Sequence, residues 1–180
     1  MSIVFRQATL ADDETFLALA LAAFEPIRQL GINFSAAHAD IDMVRTHIVS
    51  HGVYVMEKGG EMVSSFTIRY PWGPEPGPLG LPHLGWFATH PGYKKQGLGK
   101  QMMSWLEEEI LINQLKAPAV SLGTAQNHPW LIEMYRNYGF KEVGQTNLGK
   151  GHLTIWMEKI LDNQLYDQWK DKNLKREAVK

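Results

Sequence analysis

The chain contains no cysteine, which removes disulfides, zinc–thiolate centres, iron–sulfur clusters and a cysteine nucleophile together. It also has no excess of charge of one sign: 18 Lys and Arg stand against 19 Asp and Glu, for a net charge of −1. Nucleic-acid-binding domains ordinarily carry a basic excess, so no nucleic-acid partner is expected. No apolar run approaches the length that a bilayer demands. The most apolar stretch, residues 16–24, follows Asp12, Asp13 and Glu14, the reverse of the basic start of a secretory signal. A cytoplasmic protein with no membrane partner is the expectation. His38, His47 and His51 share no metal-ligand spacing with a carboxylate, so no metal is expected.

What is present suits one domain. Of the 180 residues 44% are apolar and 21% charged, an ordinary globular composition. A chain of this length buries roughly 70% of the surface that it exposes when unfolded, enough to fold without a staple. The charge is unevenly placed. Residues 1–93 hold 5 basic and 9 acidic side chains and residues 94–180 hold 13 and 10, so an anionic ligand belongs with the second part.

Periodicity gives the elements. Residues 2–6 read as a strand, and Thr9 to Asp12 as a capping box ahead of a helix carrying Phe16, Leu19, Ala20 and Phe24. The chain after Pro26 reads as irregular to Ala36, and residues 38–50 as a helix with Ile41, Val44 and Ile48 on one face. Strands at 53–58 and 62–69 flank Gly59-Gly60, a hairpin signal. Residues 71–82, rich in proline and glycine, form a loop long enough to have a task of its own. A strand at 83–89 leads to a glycine- and lysine-rich turn and a helix in which Leu98, Met102, Leu106 and Ile110 recur. A strand at 119–122, a helix at 129–137 and strands at 140–145 and 152–158 follow. The result is one α/β (α+β) domain over residues 1–160. Residues 161–180 form a charged, helical extension with a thin stripe of Leu165, Trp169 and Leu174. That stripe packs on its own domain or on a second subunit, which leaves a homodimer open.

The richest segment is residues 89–100, where a strand runs through Lys94, Lys95, Gln96, Gly97, Leu98, Gly99 and Lys100 into a helix. Free amides at a helix start, the helix dipole and three lysines make an anion site of the kind that holds a pyrophosphate. A Walker loop fails because Leu98 follows Gly97 where Lys is required. A dinucleotide fingerprint fails because Met102 stands at its third glycine. A plain nucleotide-binding domain is disfavoured accordingly. Taken alone, the segment is equally a glycine-capped helix start.

A second constellation lies at residues 127–140, where Asn127 precedes a helix with Met134-Tyr135 and a Gly139-Phe140 end. With both segments in order, the sequence resembles the GNAT superfamily of acyl-coenzyme A-dependent N-acyltransferases. The family's Arg/Gln-x-x-Gly-x-Gly/Ala motif matches residues 94–99, with Lys94 at the Arg/Gln position, and its Asn and Leu-Tyr-x-x-x-Gly-Phe block matches 127–140. The opening residues 5–12 are similar to the family's usual start. The resemblance spans residues 3–160 and implies a mixed, mostly antiparallel sheet of about seven strands flanked by helices. It also implies an N-acetyltransferase that takes acetyl-coenzyme A as donor and a primary amine of a small molecule or peptide as acceptor, by direct attack in a ternary complex.

On matching positions, the resemblance puts a pyrophosphate cradle at Lys94, Lys95, Gln96, Gly97, Leu98, Gly99 and Lys100. It puts the pantetheine arm along Phe87, Ala88 and Thr89, whose amides could stabilise an oxyanion. Asn127 would reach the pantetheine or merely cap the next helix, and Tyr135 would protonate the departing thiolate. The general base is a gap, because Gly85 and Trp86 stand where the family often has Glu or Asp. His83 is the nearest titratable candidate, with Glu61 and the serines of the third strand behind it. The missing carboxylate leaves a second reading, a non-catalytic acyl-coenzyme A-binding sensor or partner module. Residues 71–82, the early helices and the 145–151 connection would form a mildly acidic acceptor side suited to a cationic amine such as a polyamine, an aminoglycoside-like compound, a lysine or an N-terminus.

Overall fold

The computed structural model describes residues 1–177. Seven strands form one sheet in the order β1-β2-β3-β4-β5-β7-β6. They are β1 (Ile3–Gln7), β2 (Gly52–Lys58), β3 (Glu61–Arg69), β4 (His83–Thr89), β5 (Ala119–Ala125), β6 (Lys141–Asn147) and β7 (Leu153–Ile160). All neighbours run antiparallel except β4 and β5. Gly59 and Gly60 join β2 to β3 with φ of 59° and 85°, the two positive values that a tight hairpin turn requires.

Among the described residues six α-helices accompany the sheet: α1 (Asp13–Ala23), α2 (Glu25–Gln29), α3 (Ile41–Ser50), α4 (Leu98–Trp105), α5 (Leu131–Asn137) and α6 (Asn163–Glu177). Two apolar clusters show how they are layered. Phe16, Leu19, Val44 and Ile48 of α1 and α3 pack with Val53, Val55 and Ala88. Leu98, Met102, Leu106 and Ile110 pack with Met56, Phe66, Ile68 and Leu122 on the other side. Alternate side chains of a strand point to opposite faces, so one sheet serves both clusters. Among the described residues, no helix is long and apolar enough to cross a membrane.

Local chemistry sets the helix boundaries. The Thr9 amide donates to Asp12 Oδ2 at 2.8 Å. Asp12 also takes Arg6, which reaches Glu57 as well, so β1, β2 and the start of α1 are tied together. The stretch after Pro26 is irregular only over residues 30–34. α2 forms ahead of them with proline in its first turn, where the missing N–H is no loss. α3 begins at Ile41 rather than at residue 38, because Asp40 caps it by accepting from the Met43 amide at 2.8 Å. The regular α4 ends at Trp105, and a π-helical stretch continues through Leu106–Gln114. Its wider turn brings Leu106, Ile110 and Leu111, spaced by four and five, onto one buried face.

α6 turns back on the molecule. Asp162 caps it by accepting from Leu165 at 2.9 Å, and Tyr166 donates to Glu158 of β7 at 2.5 Å. Trp169 lies 3.8 Å from where a Cβ on Gly80 would stand. Leu174, the third member of the apolar stripe, lies outside the residues whose side chains are described.

Phe16 is fully buried and props Trp86 at 5.8 Å between ring centres. Replacing Phe16 by Ala should lower unfolding stability by about 3–5 kcal/mol in a urea titration, the usual cost of such a cavity.

Candidate active site

The β4–β5 ladder is only two residue pairs long, His83↔Ser121 and Leu84↔Leu122. Beyond Leu84 the edge of β4 that faces β5 has no strand partner, and a cleft opens. β4 is also bulged, since β3 pairs Ser65 with Ala88 but Thr67 with Gly85. Trp86 and Phe87 therefore stand opposite Phe66 alone, which sends their rings to opposite faces. Phe87 stacks on Phe66 at 4.0 Å. Trp86, at a φ of +48°, stacks on His47 of α3 at 4.0 Å and donates to Ser35 Oγ at 3.0 Å.

The glycine-rich turn abuts this bulge. Gly97 and Lys95 have φ of 72° and 63°, which curls the chain, and the amides of residues 95–100 have no acceptor among the described residues. Consecutive free amides of this kind form an anion-binding concavity. A Cβ on Gly99 would stand 2.9 Å from Phe87 Cζ and 3.3 Å from Thr89 Oγ1, so the turn can approach β4 only because that residue is glycine. Lys94, Lys95 and Lys100 are exposed and unpaired with carboxylates among the described residues. Gln96 accepts from Lys58 at 2.9 Å.

At the other end of the cleft lies a cavity of about 980 Å³ lined by α2, α3, α5 and strands β3, β4, β5 and β7. His83 and Tyr135 both line it, so the structure brings together the two side chains singled out for proton transfer. His83 is 4% exposed. Its Nδ1 meets Ser121 Oγ at 2.8 Å, and Gly77 of the 71–82 loop presses on its ring, leaving no room for a Cβ. Tyr135 is buried, and burial with the neighbouring Tyr138 pushes its hydroxyl well above the ordinary tyrosine range. The hydroxyl makes no hydrogen bond among the described residues.

Other sequence candidates fall elsewhere. Asn127 is exposed on the turn before α5, and the cap of that helix comes from its neighbour. His128 Nδ1 accepts from Trp130 at 3.3 Å and Leu131 at 3.2 Å, so α5 begins at Leu131. The Ala88 side chain faces the α1–α3 cluster, which leaves only its backbone to the cleft. Glu61 accepts from Tyr93, Ser64 bonds the Ala88 carbonyl, and neither they nor Ser65 line the cavity. Trp86 and Trp156 line it, whereas Trp72 and Trp130 are exposed. Reading the sequence alone overlooks His47, Arg69 and Ser121. Only strand register shows Arg69 opposite His83 and His83 opposite Ser121.

Among the described residues, no group of three or more His, Asp or Glu side chains is placed to hold a metal ion. The splayed parallel strands beside a row of free amides form a cleft with an anion-binding end. A sequence model described as acetyltransferase (GNAT) domain matches residues 50–142; the chain belongs to that family and is an N-acetyltransferase. It is 51% identical over 161 residues to the S-(2-succino)cysteine N-acetyltransferase of Bacillus subtilis (strain 168), with 89% of this chain and 98% of the other covered. It is 44% identical over 159 residues to the S-alkylcysteine N-acetyltransferase of the same organism, with 88% and 89% covered. The fold is also that of the PaiA N-acetyltransferase from Thermoplasma acidophilum in complex with coenzyme A. There the TM-score is 0.67 at 16% identity, over 89% of this chain and 99% of that one.

The cavity histidines carry a pH signature. Burial, with help from Arg69, holds His83 down at about 4. Burial, His51 and Arg69 hold His47 down at about 3. Unfolded histidines titrate near 6.5, so below that pH the unfolded chain binds more protons and the fold loses stability as pH falls. Each histidine contributes a slope of about 1.4 kcal/mol per pH unit between its two pKa values. Urea unfolding at pH 7, 6 and 5 should show this loss setting in below 6.5, and His47→Gln should reduce it, leaving the share of the other lowered histidines. A stability that is flat from pH 7 to pH 5 would contradict the buried, neutral state of these rings.

Proposed function

We propose that this protein transfers the acetyl group of acetyl-coenzyme A to the α-amine of an S-substituted cysteine. The observation that carries the reading is the 51% identity to the S-(2-succino)cysteine N-acetyltransferase across 98% of that protein's length. This acceptor is an amino acid bearing carboxylates, and it replaces the cationic amine expected from the acidity of the first half of the chain. The cavity wall holds two cations that can meet a carboxylate, Arg69 and Lys150, alongside Asp40, Asp42 and Glu75.

In this reading the amides of residues 95–100 hold the pyrophosphate, and the unpaired edge of β4 from Gly85 to Thr89 aligns the pantetheine arm. The fit is favourable, because six free donors, an αL turn and three unpaired lysines surround one spot. The amine nitrogen attacks the thioester carbonyl as a nitrogen–carbon bond forms and the carbon–sulfur bond breaks. A β4 amide stabilises the developing oxyanion. His83, neutral at physiological pH, takes the proton released by the amine. That role requires the tautomer in which Nδ1–H donates to Ser121 Oγ, freeing Nε2 as acceptor. Tyr135, which stays protonated throughout the working range, donates to the departing thiolate.

Acetyl-coenzyme A should raise the melting temperature where ATP and NADH do not, and Gly99→Ala should abolish the shift by driving a Cβ into Phe87. Thiol release should appear with S-alkylcysteine or S-(2-succino)cysteine and not with a polyamine or an N-terminal peptide; the reverse preference overturns the acceptor. Tyr135→Phe should lower kcat by about 10²-fold with little change in acetyl-coenzyme A affinity, the usual loss of a proton donor. His83→Gln should lower kcat similarly and change the acidic limb of the pH–rate profile; an unchanged profile removes His83 from the mechanism.

A further inference from the structure

Arg69 differs from the other arginines whose side chains are described. Arg6, Arg28, Arg45 and Arg136 each pair with at least one carboxylate, whereas Arg69 pairs with none among the described residues. It ends β3 and lines the 980 Å³ cavity. Its Nε donates to the carbonyl oxygen of Glu75 at 2.7 Å and its Nη2 to that of Pro76 at 3.3 Å. Both bonds use one edge of the guanidinium, the edge that Nε shares with Nη2. The opposite edge, shared by Nη1 and Nη2, has no protein acceptor among the described residues. The 71–82 loop thus orients the fork and leaves its bidentate end open.

Asp40, Asp42 and Glu75 share the cavity wall, but none of them forms an ion pair with Arg69. His47, His51 and His83 are the nearby titratable rings, all held neutral, and Arg69 itself contributes to that. Asp40 is engaged in capping α3, and Glu75 faces His51 at 3.5 Å. Lys150 is exposed on the β6–β7 loop, with Asn33 donating to its carbonyl at 3.1 Å. A half-buried guanidinium with an open edge is suited to a planar anion, which accepts two parallel hydrogen bonds from it. A lysine could not hold the loop and present a fork at once.

The register supplies the identity of that anion. Arg69 stands directly opposite His83 on adjacent antiparallel strands, which puts the two side chains on one face with Cβ atoms about 4.5–5.5 Å apart. In an α-amino acid one carbon separates the amine from the carboxylate, so an anchor for the carboxylate has to adjoin the group that receives the amine's proton.

We propose that the open Nη1/Nη2 edge of Arg69 binds the α-carboxylate of the acceptor, which makes Arg69 the residue that selects an amino acid over other primary amines. This rests on the S-substituted cysteine reading. The substituent on sulfur does not touch this anchor, so acceptors with different substituents share it.

The test compares three acceptors on their free-amine concentrations: an S-alkylcysteine, its carboxamide and the decarboxylated S-alkylcysteamine. Wild-type kcat/KM should favour the acid by about 10²-fold or more, as expected when a site built for a polar group meets an analogue lacking it. Arg69→Gln should lose that preference through a higher KM for the acid alone, with KM for acetyl-coenzyme A and turnover of the cysteamine little changed. Equal use of the acid and the cysteamine by the wild type overturns the proposal without any variant. An equal fall for all three acceptors in Arg69→Gln overturns it too, because Arg69 then only holds the loop. Acetylation of none of the three, nor of S-(2-succino)cysteine, with acetyl-coenzyme A still bound, overturns the S-substituted cysteine reading and this inference with it.

Discussion

Beyond Leu84 and Leu122 the strands β4 and β5 part, leaving backbone donors and acceptors unmatched inside one sheet. Such groups are expensive unless a ligand or water satisfies them. The fold tolerates the gap because apolar packing holds both sides of it. Phe87 is locked on Phe66, Leu98 and Met102 anchor the glycine turn from below, and Tyr135 and Phe140 close the far side. The cradle at residues 95–100 and the cavity on the other face are the two ends of that gap. A molecule with a phosphorylated end and an acyl end can lie across it.

The bulge in β4 decides what each end looks like. One extra residue opposite Phe66 separates Trp86 from Phe87, so neighbours in sequence build different walls. Phe87 supports the cradle. Trp86 lines the acceptor cavity, held by His47 and Ser35 in a backbone conformation that a bulky residue adopts only under constraint. In the proposed mechanism the proton-accepting role falls at the start of the same strand, where His83 bonds Ser121.

Electrostatics then follow from burial. Three histidines stay neutral because charging them inside an apolar wall is unfavourable, and the adjacent Arg69 adds to the penalty. That arginine is stabilised by two loop carbonyls in place of a carboxylate, an arrangement that retains an open donor edge at the acceptor end. The 71–82 loop connects these features. It presses on His83 through Gly77, orients Arg69 through Glu75 and Pro76, and meets Trp169 of α6 through Gly80.

Much of this is legible in the chain itself. Alternation gave seven strands, Gly59-Gly60 gave the hairpin, and the glycines at 97 and 99 with the block at 134–140 led to the GNAT family, because these are local features with local physical causes. Helix starts were less legible. Asp40, not residue 38, sets α3, and His128, not Asn127, caps α5, since several polar residues compete for each cap and only the three-dimensional path chooses among them. The cavity was legible only in part, through the 71–82 loop, the early helices, the 145–151 connection, His83 and Tyr135, which all line it. His47, Arg69 and Ser121 are far apart in sequence and carry no motif. They become neighbours of His83 and Trp86 through strand register, a bulge and the packing of α3 on the sheet. Sequence by itself determined the class of fold and marked the glycine-rich turn at residues 95–100, because both rest on periodicity and glycine conformation. Tertiary structure alone decided which charged side chains line the cavity, because that depends on pairings between distant strands.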